Sequence, residues 1–205
     1  MTRARNVGAV GLWAGVAVPV LYFGSVLAAA PFYPGFSFVR QFASELGAEG
    51  APHPYILNTG LVGVGLAGIL AGRSFWRTLL ELGARPIAAR WTGLLIAMFG
   101  VAIVMAGLFP HPSLLHWGFG LSIPFVVAPT VLAFGLRHRP EATPLRRYLL
   151  ATNAMMIVLF IATLAAAHSP IVGLCQLLYT LAAIPWLGVG AVALMRYRRM
   201  WLRII

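Results

Sequence analysis

The chain has 205 residues, of which 60% are hydrophobic and 9% charged, and its formal net charge is +11. A soluble domain usually carries about a quarter charged residues, so this composition, with a mean hydropathy of +0.88, excludes an ordinary water-soluble domain and indicates a membrane protein. The charges lie near the ends of apolar runs and form no long basic segment, so membrane lipids, and not nucleic acid, are the predicted partners.

Apolar runs of membrane-spanning length dominate the sequence. A helix needs about 20 apolar residues to cross the hydrocarbon core of a bilayer. Six runs come close to or exceed this length, namely Val7–Ala30, Tyr55–Gly72, Trp91–Phe109, Leu115–Leu136, Tyr148–Ala167 and Ile171–Met195. We therefore predict an all-α, polytopic membrane protein whose six transmembrane helices form one domain over residues 1–205.

The first run follows Arg3 and Arg5 and ends at Ala28-Ala29-Ala30, as a secretory signal with a small-residue cleavage site would. It is longer than a typical signal core of about 7–15 residues. We therefore predict that it is retained as the first helix.

The connection between the first two runs, Pro31–Pro54, is long and partly apolar. Its apolar residues recur at near-helical spacing, with glycines after them as stop signals, in the order Phe36, Phe38, Val39, Phe42, Leu46, Gly47 and Gly50. This pattern predicts a short interfacial or re-entrant helix that covers the outer ends of the bundle like a lid.

Glycine recurs in the second run, at Gly60, Gly63, Gly65, Gly68 and Gly72. Small residues let helix backbones approach closely in lipid. We predict that these glycines pack against neighbouring helices of the same bundle, in preference to a dimer interface.

Arginine supplies every permanent cationic side chain, because the chain has no lysine. All but Arg40 fall on one side of the six runs; these are Arg3, Arg5, Arg73, Arg77, Arg85, Arg90, Arg137, Arg139, Arg146, Arg147, Arg196, Arg198, Arg199 and Arg203. Short loops rich in arginine stay in the cytoplasm. We therefore predict a multi-pass protein of a bacterial inner membrane, with both termini in the cytoplasm.

The remaining polar residues gather on the opposite, outer side. Two of the four acids, Glu45 and Glu49, lie in the first outer loop, while Glu81 and Glu141 lie among the arginines. The predicted ligand-binding residues at the outer ends are Arg40, Ser44, Asn58, His111, Gln176 and Tyr179. Arg40 is the one arginine predicted on the outer side, where arginine is disfavoured. Glu45 is its nearest candidate partner.

Three interpretations of this outer cluster remain open. The polar side chains can simply cap helices and bind loop carbonyls. Alternatively, Glu45 and His116 can form a catalytic acid–base pair. A third alternative is a hydrolytic zinc site with His111, His116 and His168 as the candidate ligands. The sequence has no H-E-x-x-H, G-x-S-x-G or phosphate-binding loop motif, and no cofactor is predicted.

Short motifs in this cluster resemble a bacterial and archaeal family of six-helix membrane proteins, the domain of unknown function 998. The motifs are Ser44-Glu45-Leu46-Gly47, Asn58-Thr59-Gly60-Leu61 and Gly107-Leu108-Phe109-Pro110, with His116 after them. The resemblance covers roughly Trp13 to Leu194. It departs from the family pattern at Glu45, where aspartate is expected, and at Gln176, where an acid is expected. The second departure weakens a mechanism with two carboxylates.

These residues favour binding of a lipid or other apolar molecule in an outward-facing polar pocket, with or without chemical modification of that molecule. If the protein is an enzyme, Glu45 is the acid or base, His116 its partner and Arg40 an anion holder, with Ser44 and Asn58 orienting them. The alternatives are a small transporter or channel-like protein, and an assembly protein without catalysis.

Overall fold

The computed structural model describes residues 2–201, and side chains over residues 11–200. Within that part of the chain the regular structure is helical and contains no strand. The α-helices are α1 (Thr2–Ala29), α2 (Pro54–Glu81), α3 (Pro86–Leu108), α4 (Ala128–Gly135), α5 (Thr143–Ala165), α6 (Val172–Ala183) and α7 (Pro185–Trp201). Short 3₁₀ segments occur at Ala30–Phe32, Ala43–Gly47, Leu114–Gly120, Ile123–Val127 and Pro140–Ala142.

The prediction of an all-α protein with several membrane-spanning helices is confirmed. Five stretches of the described chain are long and apolar enough to cross a membrane: Gly11–Phe32, Pro54–Glu81, Pro86–Leu108, Pro140–Ala165 and Val172–Met200. The last of them joins α6 to α7 through Ile184, where Pro185 removes a backbone donor and interrupts the helix. The short helix predicted in the first connection is present as the five-residue 3₁₀ segment Ala43–Gly47.

The fourth predicted helix, Leu115–Leu136, is not continuous, so that prediction needs correction. Leu114–Gly120 and Ile123–Gly135 meet at a bend of 42° and make a sixth span only as a pair. Gly118 and Phe119 have φ angles of 53° and 54°, which a right-handed helix does not allow. A Cβ on Gly118 would lie 2.7 Å from Ala102 Cα of α3, so the break is tied to a close contact with that helix.

Helix α4 follows the 3₁₀ segment Ile123–Val127, and the Ala128 N–H at its start donates to the Phe125 carbonyl of that segment. The N–H of Thr130 donates to Oδ1 of Asn153, a buried side chain of α5, at 3.3 Å. Polar backbone at membrane depth needs such a partner because no water is available there. Asn153 therefore satisfies one backbone N–H in the first turn of α4.

Helix α2 packs between α1 and α3 through its glycines, as predicted. A Cβ on Gly72 would lie 2.5 Å from the Gly93 carbonyl oxygen of α3, and a Cβ on Gly100 would lie 2.6 Å from that of Gly65. On the other side of α2, a Cβ on Gly60 would overlap Ser25 of α1. Hydrogen at these positions lets the three backbones approach closely.

The helix ends that carry arginine meet at one end of the bundle, which we call the arginine end. Arg198 Nε donates to Glu81 Oε2 at 2.6 Å, and Arg139 Nε donates to the Leu82 carbonyl at 2.9 Å. Arg139 also pairs with Glu141 at 3.6 Å. Residues 33–53 and 109–117 lie at the other end, which we call the loop end.

We expect Gly100→Ala to lower stability and Gly24→Ala to leave it unchanged or raise it. The added methyl of Gly100→Ala would meet backbone atoms of α2, so the helices must separate, at a cost of about 1–3 kcal/mol. Gly24 is a helical control whose Cβ would meet nothing within 4 Å, and removing a helical glycine gains up to about 1 kcal/mol. Thermal unfolding of the purified variants in detergent compares them, and equal melting temperatures would contradict close α2–α3 packing.

Candidate functional site

Side chains from two helices anchor the first connection, residues 33–53, at the loop end. The Ala43 N–H donates to Gln176 Oε1 of α6 at 2.7 Å. Asn58 Nδ2 of α2 donates to the Gly47 carbonyl at 2.9 Å. Both partners on the connection are backbone groups of the Ala43–Gly47 segment, so Gln176 and Asn58 fix its position directly.

Backbone contacts complete this anchoring. The Leu174 N–H donates to the Val39 carbonyl at 3.0 Å, and the Glu49 N–H donates to the His111 carbonyl at 2.9 Å. A Cβ on Gly173 would lie 2.7 Å from the backbone nitrogen of Gln41. The connection is therefore packed against α6 and against the segment that follows α3.

Glu45 has a structural role within the connection. Its Oε1 accepts from the Phe42 N–H at 2.9 Å, and its Oε2 accepts from Gln41 Nε2 at 3.1 Å. Gln41 Oε1 in turn accepts from the Ser37 N–H at 3.0 Å. The carboxylate thus caps the start of the Ala43–Gly47 segment, and it keeps lone pairs for a further donor.

A cavity of about 410 Å³ opens beside this segment, and we call it the loop-end cavity. Its wall contains Tyr33, Phe42, Ser44, Glu45, Ala48, Glu49, Gly50, Ala51, His111 and Trp117. Two carboxylates, two hydroxyls and an imidazole therefore share one space, and three of the lining side chains are aromatic. The arrangement can accept hydrogen bonds and attract a positive charge.

His116 lies next to the cavity but does not line it. Its Nδ1 lies 3.2 Å from the Ala106 carbonyl oxygen and 3.1 Å from that of Phe109, both at the end of α3. Since carbonyls only accept, Nδ1 carries the proton, and in the neutral ring Nε2 is the acceptor. The rings of His111 and His116 meet edge to face, 6.2 Å apart. The catalytic pairing of Glu45 with His116 stays a prediction.

The predicted site residues thus divide into three groups. Ser44, Glu45 and His111 meet at the loop-end cavity. Asn58 and Gln176 hold the backbone of the connection instead of lining the cavity. The remaining predicted side chains lie outside its wall; they are Arg40, His116, His168 and Tyr179.

The expected Arg40–Glu45 ion pair does not form. Over residues 11–200, the ion pairs are those of Arg139 with Glu141 and of Arg198 with Glu81. The Arg40 side chain is exposed.

Tyr179, another predicted ligand-binding residue, packs against Phe160, with ring centroids 5.7 Å apart.

The zinc alternative requires three ligands in one place. Among the side chains of residues 11–200, no three His, Cys, Asp or Glu residues are grouped so that they could hold a metal ion. His111 and His116 are neighbours, whereas His168 lies in the turn between α5 and α6.

Sequence reasoning missed part of the cavity wall. Glu49 lies in the predicted outer polar cluster, but neither Glu49 nor Trp117 is among the predicted ligand-binding residues. Tyr33 and Phe42 also line the cavity. The signal that points to Glu49 is its position four residues after Glu45, since the chain has only four acidic residues.

The fold defines a multi-pass helical membrane protein with a polar cavity at one end. The sequence pattern of the family described as protein of unknown function (DUF998) matches residues 16–193. The chain belongs to this family, as the resemblance indicated. No curated protein and no solved structure matches the chain.

We expect Glu45→Ala to lower the free energy of unfolding by about 0.5–2 kcal/mol, the usual cost of losing a capping side chain. Glu49→Ala removes the same charge from the same cavity, but the Glu49 side chain is exposed. Its effect should stay within about 0.5 kcal/mol. Unfolding in detergent, followed by tryptophan fluorescence, measures both variants. Equal losses would show that the capping bonds of Glu45 contribute nothing.

Proposed function

We propose that this protein binds an amphipathic molecule from the outer leaflet and holds its positively charged headgroup in the loop-end cavity. The observation that carries the proposal is the placement of acidic residues. The chain has a net charge of +11 and four acids, yet Glu45 and Glu49 both line this one cavity. A wall that bears two carboxylates favours a cation over an anion.

The aromatic part of the wall supports the same class of ligand. Tyr33, Phe42 and Trp117 border the cavity, and aromatic faces attract ammonium groups in addition to covering apolar surface. Leu114 is 88% exposed and Phe119 is 76% exposed on the segment that carries Trp117. These side chains offer an apolar surface for the tail of the ligand.

The position of the cavity favours binding over transport. All of its wall comes from residues 33–51 and from His111 and Trp117, so no residue from the middle of a spanning helix contributes. A transport path needs polar groups that continue through the bundle. A cavity confined to one end suits a molecule that stays in the outer leaflet.

The proposal includes the orientation of the chain. Arginine-rich short loops are retained in the cytoplasm, which places the arginine end inside and the loop end outside. The protein then sits in the cytoplasmic membrane with both termini inside. A ligand reaches the cavity from the outer leaflet or from the aqueous space beyond it.

Cysteine labelling tests this orientation, because Cys175 is the chain's single cysteine. His53 at the loop end and His138 at the arginine end are both exposed. In a Cys175→Ala background, we expect His53→Cys to react with a membrane-impermeant maleimide on intact cells. His138→Cys should react only after the cells are permeabilised. The opposite pattern would place the loop-end cavity inside the cell.

A headgroup comparison tests the binding. In nanodiscs, the protein should bind a dodecyl chain with a trimethylammonium head more tightly than one with a sulfate head. Glu49→Gln should weaken binding of the trimethylammonium compound about three- to tenfold, since a partly solvated charge pair contributes about 1 kcal/mol. Glu141→Gln makes the same charge change at the arginine end and is the control. Preference for the sulfate head, or equal weakening by both variants, would refute the proposal.

A further inference from the structure

A second cavity lies at the arginine end, in the cleft between α1 and α7. Its volume is about 480 Å³. Among the described residues, its wall contains Trp13 from α1 and Val192, Met195, Arg196, Arg199 and Met200 from α7. We call it the arginine cleft.

Helical spacing makes the cleft amphipathic along its length. Counted from Val192, the other lining residues Met195, Arg196 and Arg199 follow after three, four and seven positions. Residues at these spacings share one face of a helix. Val192 and Met195 precede the two arginines along the helix, and Met200 follows them. Trp13, which is 58% exposed, faces them from α1. The cleft thus combines an apolar wall with two arginine side chains.

Within residues 11–200, the four acidic side chains of the chain all lie elsewhere. Of the four acids in the sequence, Glu45 and Glu49 line the cavity at the loop end. Glu81 pairs with Arg198, the residue between the two arginines of the cleft, and Glu141 pairs with Arg139. No acidic side chain of residues 11–200 is thus paired with Arg196 or Arg199, and an anionic ligand can supply the compensating charge.

We propose that the arginine cleft is a binding site for a phospholipid with a net anionic headgroup, drawn from the bilayer leaflet at that end. Arg196 and Arg199 hold the phosphate, for which the guanidinium fork is geometrically suited. An acyl chain lies along Val192 and Met195, and Trp13 sits at the level of the headgroup, as tryptophans do at membrane interfaces. Because much of the wall is apolar, the site suits a lipid better than a free phosphate ion.

This site is separate from the loop-end cavity, and it stands whether or not that cavity binds a cationic amphiphile. The two cavities lie at opposite ends of the bundle, carry opposite charges and are formed by different parts of the chain. Binding at the cleft would join the ends of α1 and α7, which already pack where a Cβ on Gly15 would lie 3.1 Å from Ala191 Cβ.

Native mass spectrometry of the purified full-length chain tests the proposal with added phosphatidylglycerol and phosphatidylcholine of identical acyl chains. We expect the wild type to retain phosphatidylglycerol preferentially. The double variant Arg196→Gln/Arg199→Gln should lose that preference by about tenfold or more, since each interfacial cation contributes about 1 kcal/mol.

The matched control is Arg73→Gln/Arg77→Gln, which removes two exposed arginines from one face of α2. Its preference for phosphatidylglycerol should stay at the wild-type level. An equal loss in both double variants would attribute the preference to the general charge of the arginine end and would overturn a specific site.

A third variant, Val192→Trp, separates a lipid from a free anion. It fills the apolar wall at a residue that is 52% exposed, so folding should be preserved, and it leaves both arginines in place. Retention of phosphatidylglycerol should fall. Unchanged retention, or displacement of the lipid from wild type by millimolar inorganic phosphate, would overturn the proposal. Thermal unfolding checks that each variant is folded.

Discussion

The loop end depends on a single constraint: polar backbone that leaves a helix near membrane depth must find hydrogen-bond partners inside the protein. The connection of residues 33–53 meets it with side chains. Gln176 accepts from its backbone at Ala43, Asn58 donates to its backbone at Gly47, and Glu45 caps the turn between them. Once this backbone is fixed, the wall of the loop-end cavity is fixed with it.

The same constraint explains why the family-like motifs lie together. Asn58 of the second motif binds Gly47 of the first. A Cβ on Gly107 of the third motif would lie 2.6 Å from the Asn58 carbonyl oxygen, and His116 binds the Phe109 carbonyl of that motif. The three motifs thus form one assembly that joins α2, the end of α3 and the connection. Asn58 and His116 bind backbone carbonyls, whereas Ser44 and Glu45 also line the loop-end cavity.

Run length and hydropathy were sufficient to predict α1, α2, α3 and α5, because lipid exposure requires long apolar helices. They failed at Leu115–Leu136, where the break follows from contact between Gly118 and Ala102, which composition does not encode. The grouping of Ser44, Glu45 and His111 was predictable because alternate connections share one end of a bundle. The bond from Ala43 to Gln176, 133 residues apart, was not, because it depends on the final packing of α6.

Charge is distributed so that the two ends of the bundle differ chemically. At the arginine end, Glu81 and Glu141 are each occupied by one arginine, which leaves Arg196 and Arg199 without a carboxylate among residues 11–200. At the loop end, Glu45 and Glu49 share a wall from which the exposed cation Arg40 is absent. A bilayer separates these two regions by more than the Debye length of about 8 Å at physiological salt, so neither neutralises the other. The charge of each end is therefore set locally, and a chain with a strong overall positive charge can still present an acidic cavity.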